Sequence, residues 1–354
     1  MQNILLVFLI FLLGCTSKEL VSEATLYPVR SDLKQQELLQ SGITLHDSGE
    51  LDQAIEKYNE VLKINPDNVD ALYEISNSYF VKKDFENCIK YSIMGAKYKS
   101  DLLSGFYMNA ANAYDNIDET GKAIQLYDKA IVLSPGLYIL YYNRGIAYNK
   151  IGQKNEALNN FKEALHRNAN HASSHLAIAN IYLSDDYIVP SLLAFSRFLI
   201  LEPSSNRSLD ALNNFRAILN GNISKDEQPN SFSIMINTDQ PTYDGKFAAI
   251  DLTLSILAAG RLTKLDSINN ELHQLASDFE SLLQTIDELK KDSKGFVWEY
   301  YIPYFIDMKN QKHIEAFIYY IHQASDIKFA TIWLDTNKSK LNNFLHWSEN
   351  YTWQ

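Results

Sequence analysis

The sequence predicts an all-α chain built from stacked helix pairs, and three recurrences predict it. A small residue returns at Ala54, Cys88, Ala123, Ala157 and Ser191, in steps of 34, 35, 34 and 34. Leu45, Tyr79, Tyr114, Tyr148 and Tyr182 precede it by nine positions, and Tyr58, Tyr127, Phe161 and Phe195 follow it by four. Pro66, Pro135 and Pro203 follow it by twelve, where a residue without an N–H ends a helix. A fixed period of this length marks a repeat in which each helix pair buries its apolar face only against its neighbours.

Within each unit, apolar or aromatic residues stand at the fourth, seventh, eighth and eleventh positions of the first helix, one stripe at helical spacing. The fourth unit shows the pattern most fully. Tyr141, Arg144, Gly145 and Tyr148 mark its first helix, Gly152 its turn, and Ala157, Phe161 and Ala164 its second helix. Gly145 and Ala157 put a small side chain on each helix where the two backbones approach. The run from Tyr141 to Tyr148, followed by Asn155 to Phe161, resembles the tetratricopeptide (TPR) family. The resemblance implies a TPR helix-pair solenoid of about five units, at 35–68, 69–102, 104–137, 138–171 and 172–205. The second unit departs most, with Ser92 in the aromatic slot and Ser100 in place of proline, and one extra residue near Leu102-Leu103 precedes the third.

In TPR domains the concave groove is lined by positions two, five, nine, twelve and thirteen of the first helices. Carried onto this chain, that rule selects Tyr73, Asn77, Met108, Asn112, Asp115, Asn116, Tyr142, Asn149, Leu176 and Asn180. Asparagine holds the ninth position in units two, three and five. A primary amide donates and accepts, so such a ladder suits the backbone of an extended peptide; the alternative is that asparagine is abundant here and tolerated on a solvated face. The groove lacks the Lys/Arg pairs by which some TPR proteins clamp a C-terminal carboxylate.

Residues 206–354 are expected to form a helical, aromatic-rich C-terminal region, with a degenerate capping helix array as one reading of it. Helices are predicted over Ser208–Leu219, Phe247–Ala259 and Thr263–Lys290, with a short strand over Phe232–Ile236 inside a polar stretch. All four tryptophans, Trp298, Trp333, Trp347 and Trp353, follow Lys294. Glu315-Ala316 and Tyr320 echo a second TPR helix, which suggests a capping pair. These aromatics are read as core, and the alternative is a platform that stacks sugar rings.

At the other end, an apolar run from Ile4 to Leu13 stops at Gly14-Cys15. Ten residues are too few to cross a bilayer core of about 30 Å as a helix, so residues 1–15 read as a signal peptide. Leu12-Leu13-Gly14-Cys15 resembles the lipobox of bacterial lipoproteins, which implies a lipid-modified, palmitate-bearing Cys15 at the mature N-terminus; an ordinary secretory signal or an uncleaved anchor is the alternative. Thr16 occupies the place where an inner-membrane retention signal often puts Asp, which directs the expectation to the outer membrane. Residues 16–34 read as a tether that need not be ordered.

The chain has 354 residues, 43 acidic against 32 basic, and a net charge of −11 without a dense basic run, which opposes a nucleic-acid partner or an anionic membrane surface. Cys88 reads as a small buried hydrophobe. His171 and His175 have the four-residue spacing of metal ligands, but no third ligand stands beside them, and they read as structural. The common short catalytic and cofactor motifs are absent. The expected function is therefore non-enzymatic, without metal or cofactor: an envelope lipoprotein whose groove binds a partner protein or extended peptide. The alternatives are a glycan-binding lipoprotein using the C-terminal aromatics and an accessory of outer-membrane assembly.

Overall fold

The structure is a computed structural model that describes residues 20–221, 223–225, 232–234, 244–262, 268–290, 293–323, 325 and 327–353. The signal sequence and Cys15 lie outside the described residues, as do Met235 and Ile236 of the predicted strand. The chain divides into two units, Met1–Pro135 and Gly136–Gln354.

In the first unit three helix pairs follow one another: α1 (Leu33–Asp47) with α2 (Leu51–Ile64), α3 (Val69–Val81) with α4 (Phe85–Gly95), and α5 (Leu103–Asn116) with α6 (Thr120–Leu133). Short polar side chains start three of these helices by accepting from otherwise orphaned N–H groups. Asp32 accepts from Gln35 N at 2.8 Å, Asn68 from Ala71 N at 2.9 Å, and Asp84 from Asn87 N at 3.2 Å. The periodic residues are the core: Ala54, Tyr58, Cys88, Ala123 and Tyr127 are all buried. Burial pushes the Cys88 thiol up to about 12, which keeps it protonated and unreactive.

The turns inside the pairs repeat one geometry. In the first, Ser48 N donates to Thr44 O, Gly49 N to His46 O and Glu50 N to Leu45 O, and Gly49 takes a φ of 85°. The same three offsets recur at Lys82-Lys83-Asp84, with Lys83 at 61°. Asp118 at 63° occupies the equivalent place in the third pair. These bonds satisfy the last carbonyls of the first helix, and the central residue must enter the left-handed region to make them.

The segment read as a bare tether is instead held from Leu20 onward, and α1 begins at Leu33, two residues before the expected start of the first repeat. Val21 is buried and its carbonyl accepts from Lys129 Nζ at 2.8 Å. Thr25 N and Leu26 N both donate to Lys97 O at 3.0 Å, and Lys99 N returns a bond to Leu26 O at 2.8 Å, a parallel bridge pairing Leu26 with Tyr98. Farther on, Val29 O and Ser31 Oγ accept from Asn65 and Asn68. The strap thus runs past the ends of α6, α4 and α2 in turn. Its contacts are mostly backbone bonds, which side-chain identities do not announce.

The second unit opens with α7 (Tyr138–Lys150) and α8 (Lys154–Arg167), then α9 (Ala172–Ser184) and α10 (Ile188–Leu201). Gly145 is needed where the sequence placed it: a Cβ there would stand 2.6 Å from the Phe161 ring. Then come α11 (Asn206–Asn220), an antiparallel pair of β1 (Ile223–Lys225) and β2 (Phe232–Ile234) with Ile223 opposite Ile234, α12 (Ala248–Leu262) and α13 (Ile268–Leu289). A π-helical turn at Val297–Tyr301 runs into α14 (Ile302–Asn310), followed by α15 (Ile314–Ile321), α16 (Lys328–Thr336) and α17 (Lys338–Glu349).

One hydrophobic core joins the last two repeat pairs to the C-terminal helices, reaching from Ala157 to Phe344. Helix α10 lies at its centre, with every residue from Val189 to Ile200 except the last nearly or wholly shielded, and it touches α9, α11, α12, α15 and the π-helical turn. A helix apolar on all sides belongs inside a core rather than on the flank of one.

The α14–α15 turn copies the repeat turn. Gln311 N donates to Asp307 O, Lys312 N to Lys309 O and His313 N to Met308 O, and Lys312 has a φ of 62°. In the five earlier pairs the small residue follows the positive-φ residue by five, and in all but the second, which has Ser92, an aromatic follows it by nine. That register assigns Phe317 and Ile321 to the two slots, both fully buried, and corrects the expected echo at Ala316 and Tyr320 by one position. A phenylalanine in the close-approach slot fits a pair that departs from the regular repeat.

Candidate functional site

In the first unit the predicted first-helix residues divide by what already holds them. Tyr73 packs edge-on against Phe106 with ring centres 5.4 Å apart and covers Gly105. Asn77 Oδ1 accepts from Asn109 Nδ2 at 2.5 Å, and the same Nδ2 reaches Ser76 Oγ at 2.9 Å. Asn112 Oδ1 accepts from Tyr127 OH at 2.5 Å, and Asp115 Oδ1 from Thr120 Oγ1 at 2.8 Å. Met108 is half-buried and Asn116 exposed, with the Asn116 amide donating to Asn112 O at 2.8 Å. Two rungs of the amide ladder therefore spend their carbonyl oxygens inside the protein. Asn109, which the groove rule passes over, is the buried link between α3 and α5.

In the second unit Tyr142 packs against Phe161 and His171, at 5.7 and 4.6 Å between ring centres. Leu176 is half-buried against the core. Asn149 and Asn180 are exposed. With Asn116, these two amides are the selected residues that are exposed.

Both histidines with metal-ligand spacing have structural roles. His175 is fully buried between Tyr301 OH at 2.7 Å and Ala169 O at 3.0 Å. A carbonyl only accepts, so Nε2 carries the proton and Nδ1 accepts from the tyrosine. Burial, reinforced by Arg197, pushes the ring's pKa down to about 3. His171 stands just before α9, with Nδ1 at 2.8 Å from Ser174 Oγ. Among the described residues no group of three His, Cys, Asp or Glu side chains is placed to hold a metal ion.

The four tryptophans lay their faces on protein rings. Trp298 stacks on Phe247 at 4.8 Å, Trp333 on Tyr319 at 4.6 Å, and Trp353 on both Tyr300 and Tyr304 at 4.5 and 4.9 Å. Trp347 lies 4.9 Å from Tyr304 and donates Nε1 to Asp307 at 2.7 Å. Such mutual stacking is how a core is built; Trp298 is buried in it, and Trp333, Trp347 and Trp353 are half-buried.

A cavity of about 730 Å³ opens beside α8 and the π-helical turn, lined in part by Lys162, His166, Asp244, Phe296, Glu299 and Tyr300. On its wall Lys162 Nζ reaches both Asp244 oxygens at 2.8 and 2.6 Å. Asp244 also accepts from Tyr182 OH at 2.5 Å and Phe296 N at 3.3 Å, while Tyr187 OH donates to Gly245 O. Burial lowers the lysine's pKa against the pull of Asp244. With these donors gathered on one shielded carboxylate, the cluster clasps the Asp244 segment to α8 and α9. No sequence pattern links residues so far apart in the chain.

Comparison with known proteins finds the repeat directly. A model described as TPR repeat matches residues 42–82, and one described as tetratricopeptide repeat matches 104–136 and 138–171; the chain therefore contains tetratricopeptide repeats. No curated protein matches it. Among solved structures, MamA is 21% identical, with a TM-score of 0.42 over 49% of this chain and 96% of its own. YrrB, titled a TPR protein with an unusual peptide-binding site, is 16% identical, with a TM-score of 0.42 over 50% and 90%. A thermophilic TPR protein of Thermus thermophilus is 21% identical, with a TM-score of 0.41 over 52% and 98%.

Proposed function

We propose that this chain is a non-enzymatic, lipid-anchored scaffold of a bacterial envelope, whose tetratricopeptide repeats hold a partner protein or an extended peptide. The observation that carries the reading is the repeat itself. It presents first-helix side chains at regular spacing, and helix-pair arrays of this kind serve as extended binding surfaces. The contacts assigned to the partner are the first-helix residues least committed to the protein's own packing: Met108 in the first unit, and Asn149 and Asn180 in the second. Tyr73, Asn77, Asn112, Asp115 and Tyr142 form the layer behind them, since each has a protein partner of its own. Cys15 carries the lipid in this reading, and Thr16 directs the protein to the outer membrane.

The test is a crosslinked pull-down from membranes with wild type and a Met108→Ala, Asn149→Ala, Asn180→Ala variant. Loss of most of the co-purifying partner at unchanged melting temperature supports the reading. Equal recovery removes it. Palmitate labelling of wild type and Cys15→Ser tests the anchor separately, and equal labelling of the two removes that part.

A further inference from the structure

The strap at residues 20–32 follows one edge of the first unit, the edge where α2, α4 and α6 end. Among the described residues of this unit, nine large apolar side chains are exposed, and seven of them lie on the strap or at the helix ends beside it. Leu26, Tyr27, Val29 and Leu33 belong to the strap and the start of α1, with Tyr27 74% exposed; Ile64, Val132 and Leu133 belong to the ends of α2 and α6, with Val132 81% exposed. Lys99 reaches over the Tyr27 ring at 5.2 Å, and Lys129 holds the strap at Val21. The opposite edge, at the turns inside the pairs, exposes only Val81 and Ile117 among the described residues.

We infer that this edge rests on the lipid surface of the membrane, an inference that depends on the anchor at Cys15. The chain between Cys15 and Leu20 spans five residue steps, at most about 18 Å when fully extended. Because the strap is bonded to the helix ends from Val21 on, that short leash cannot be lengthened by peeling without breaking those bonds. A lipid on Cys15 therefore brings this edge of the first unit up to the headgroups. Tyrosine, valine and leucine beside lysine are the side chains that partition into the headgroup boundary. Helices α1, α3 and α5 of the first unit then stand upright on the membrane, with their exposed faces to the side, open to a partner.

The test places an environment-sensitive fluorescent amino acid at Tyr27, Val132 or, as control on the other edge, exposed Glu86 of the full chain. Each protein is reconstituted in vesicles of phosphatidylethanolamine and phosphatidylcholine containing a nitroxide-labelled phospholipid. Quenching at positions 27 and 132 at least threefold stronger than at 86 is expected, with melting temperatures unchanged. Equal quenching at all three positions in a protein that is palmitate-labelled at Cys15 overturns this inference and leaves the anchor standing. Absence of the label overturns the anchor and the inference with it.

Discussion

Arg197 places its guanidinium 4.9 Å from the ring centre of Tyr304 and donates Nη1 to the same tyrosine's hydroxyl at 3.0 Å. The arginine is almost wholly buried, and its other partners are Ser348 Oγ at 3.0 Å, Asn170 Oδ1 at 2.7 Å and the ring of Trp353. The charge is thus met by neutral acceptors and ring faces, which attract a cation when water is excluded. Tyr304 OH and Ser348 Oγ also bond to each other at 2.7 Å, so they keep a partner when the arginine is removed. Arg197→Met is therefore expected to change stability by no more than about 1 kcal/mol. Tyr304→Ala, which empties a buried aromatic site, is expected to lose about 3–5 kcal/mol. Urea denaturation of both variants checks the contrast.

The turn geometry predicts opposite outcomes for two exchanges. Lys312 has a φ of 62°, in the region where an L side chain crowds its own carbonyl. Lys312→Gly should raise stability by about 0.5–1 kcal/mol. Gly152 has a φ of 76°, and a Cβ there meets nothing within 4 Å, so Gly152→Ala isolates the backbone cost and should lose about 1 kcal/mol. Thermal melts of the two variants give the signs directly.

Close approach inside the fourth pair has its own signature. A Cβ at Gly145 would lie 2.6 Å from one atom of the Phe161 ring and 2.8 Å from another, and the ring is fully buried. Gly145→Ala should cost roughly 1–3 kcal/mol by overpacking. Pairing it with Phe161→Leu should recover part of the loss, as a double-mutant cycle would read.

Acid sensitivity follows from His175 and His322. Burial lowers their pKa to about 3 and about 4, from an ordinary 6.5. Below pH 6.5 the unfolded chain takes up protons that the folded chain refuses, so stability falls as pH drops toward those values. Each ring contributes a slope of about 1.4 kcal/mol per pH unit in that window. Denaturation midpoints measured between about pH 7.5 and 5 should decline, and His175→Gln, whose amide can still donate and accept, should flatten the decline.

Much of the repeat was legible because its rules are local. The small-residue period located both helices of each pair, and α7 starts at Tyr138, the predicted first residue of the fourth repeat. The need for a small side chain at Gly145 was also readable, but the sequence set it beside Ala157, whereas the group that fills the space is the Phe161 ring. The strap was not legible, because it is held by carbonyls and N–H groups that every residue carries. Nor was the turn at Lys312, since only glycine or asparagine advertises a positive φ. The predicted binding residues were chosen by slot alone. The slot does not reveal that Asn77 is claimed by Asn109 or Asn112 by Tyr127, because those partners are set by packing between helices. The sequence split the chain after residue 205, whereas the contacts divide it at Pro135, because α10 serves the C-terminal core as much as its own repeat.

The binding claim is tested most directly by a photoreactive amino acid at Asn180, on the first helix of the fifth pair, and at Asn159, exposed on the second helix of the fourth. Irradiated membranes should yield a protein adduct at Asn180 and little or none at Asn159. Adducts of equal yield at both positions, or adducts only at Asn159, would contradict the assignment of the first-helix face as the binding surface.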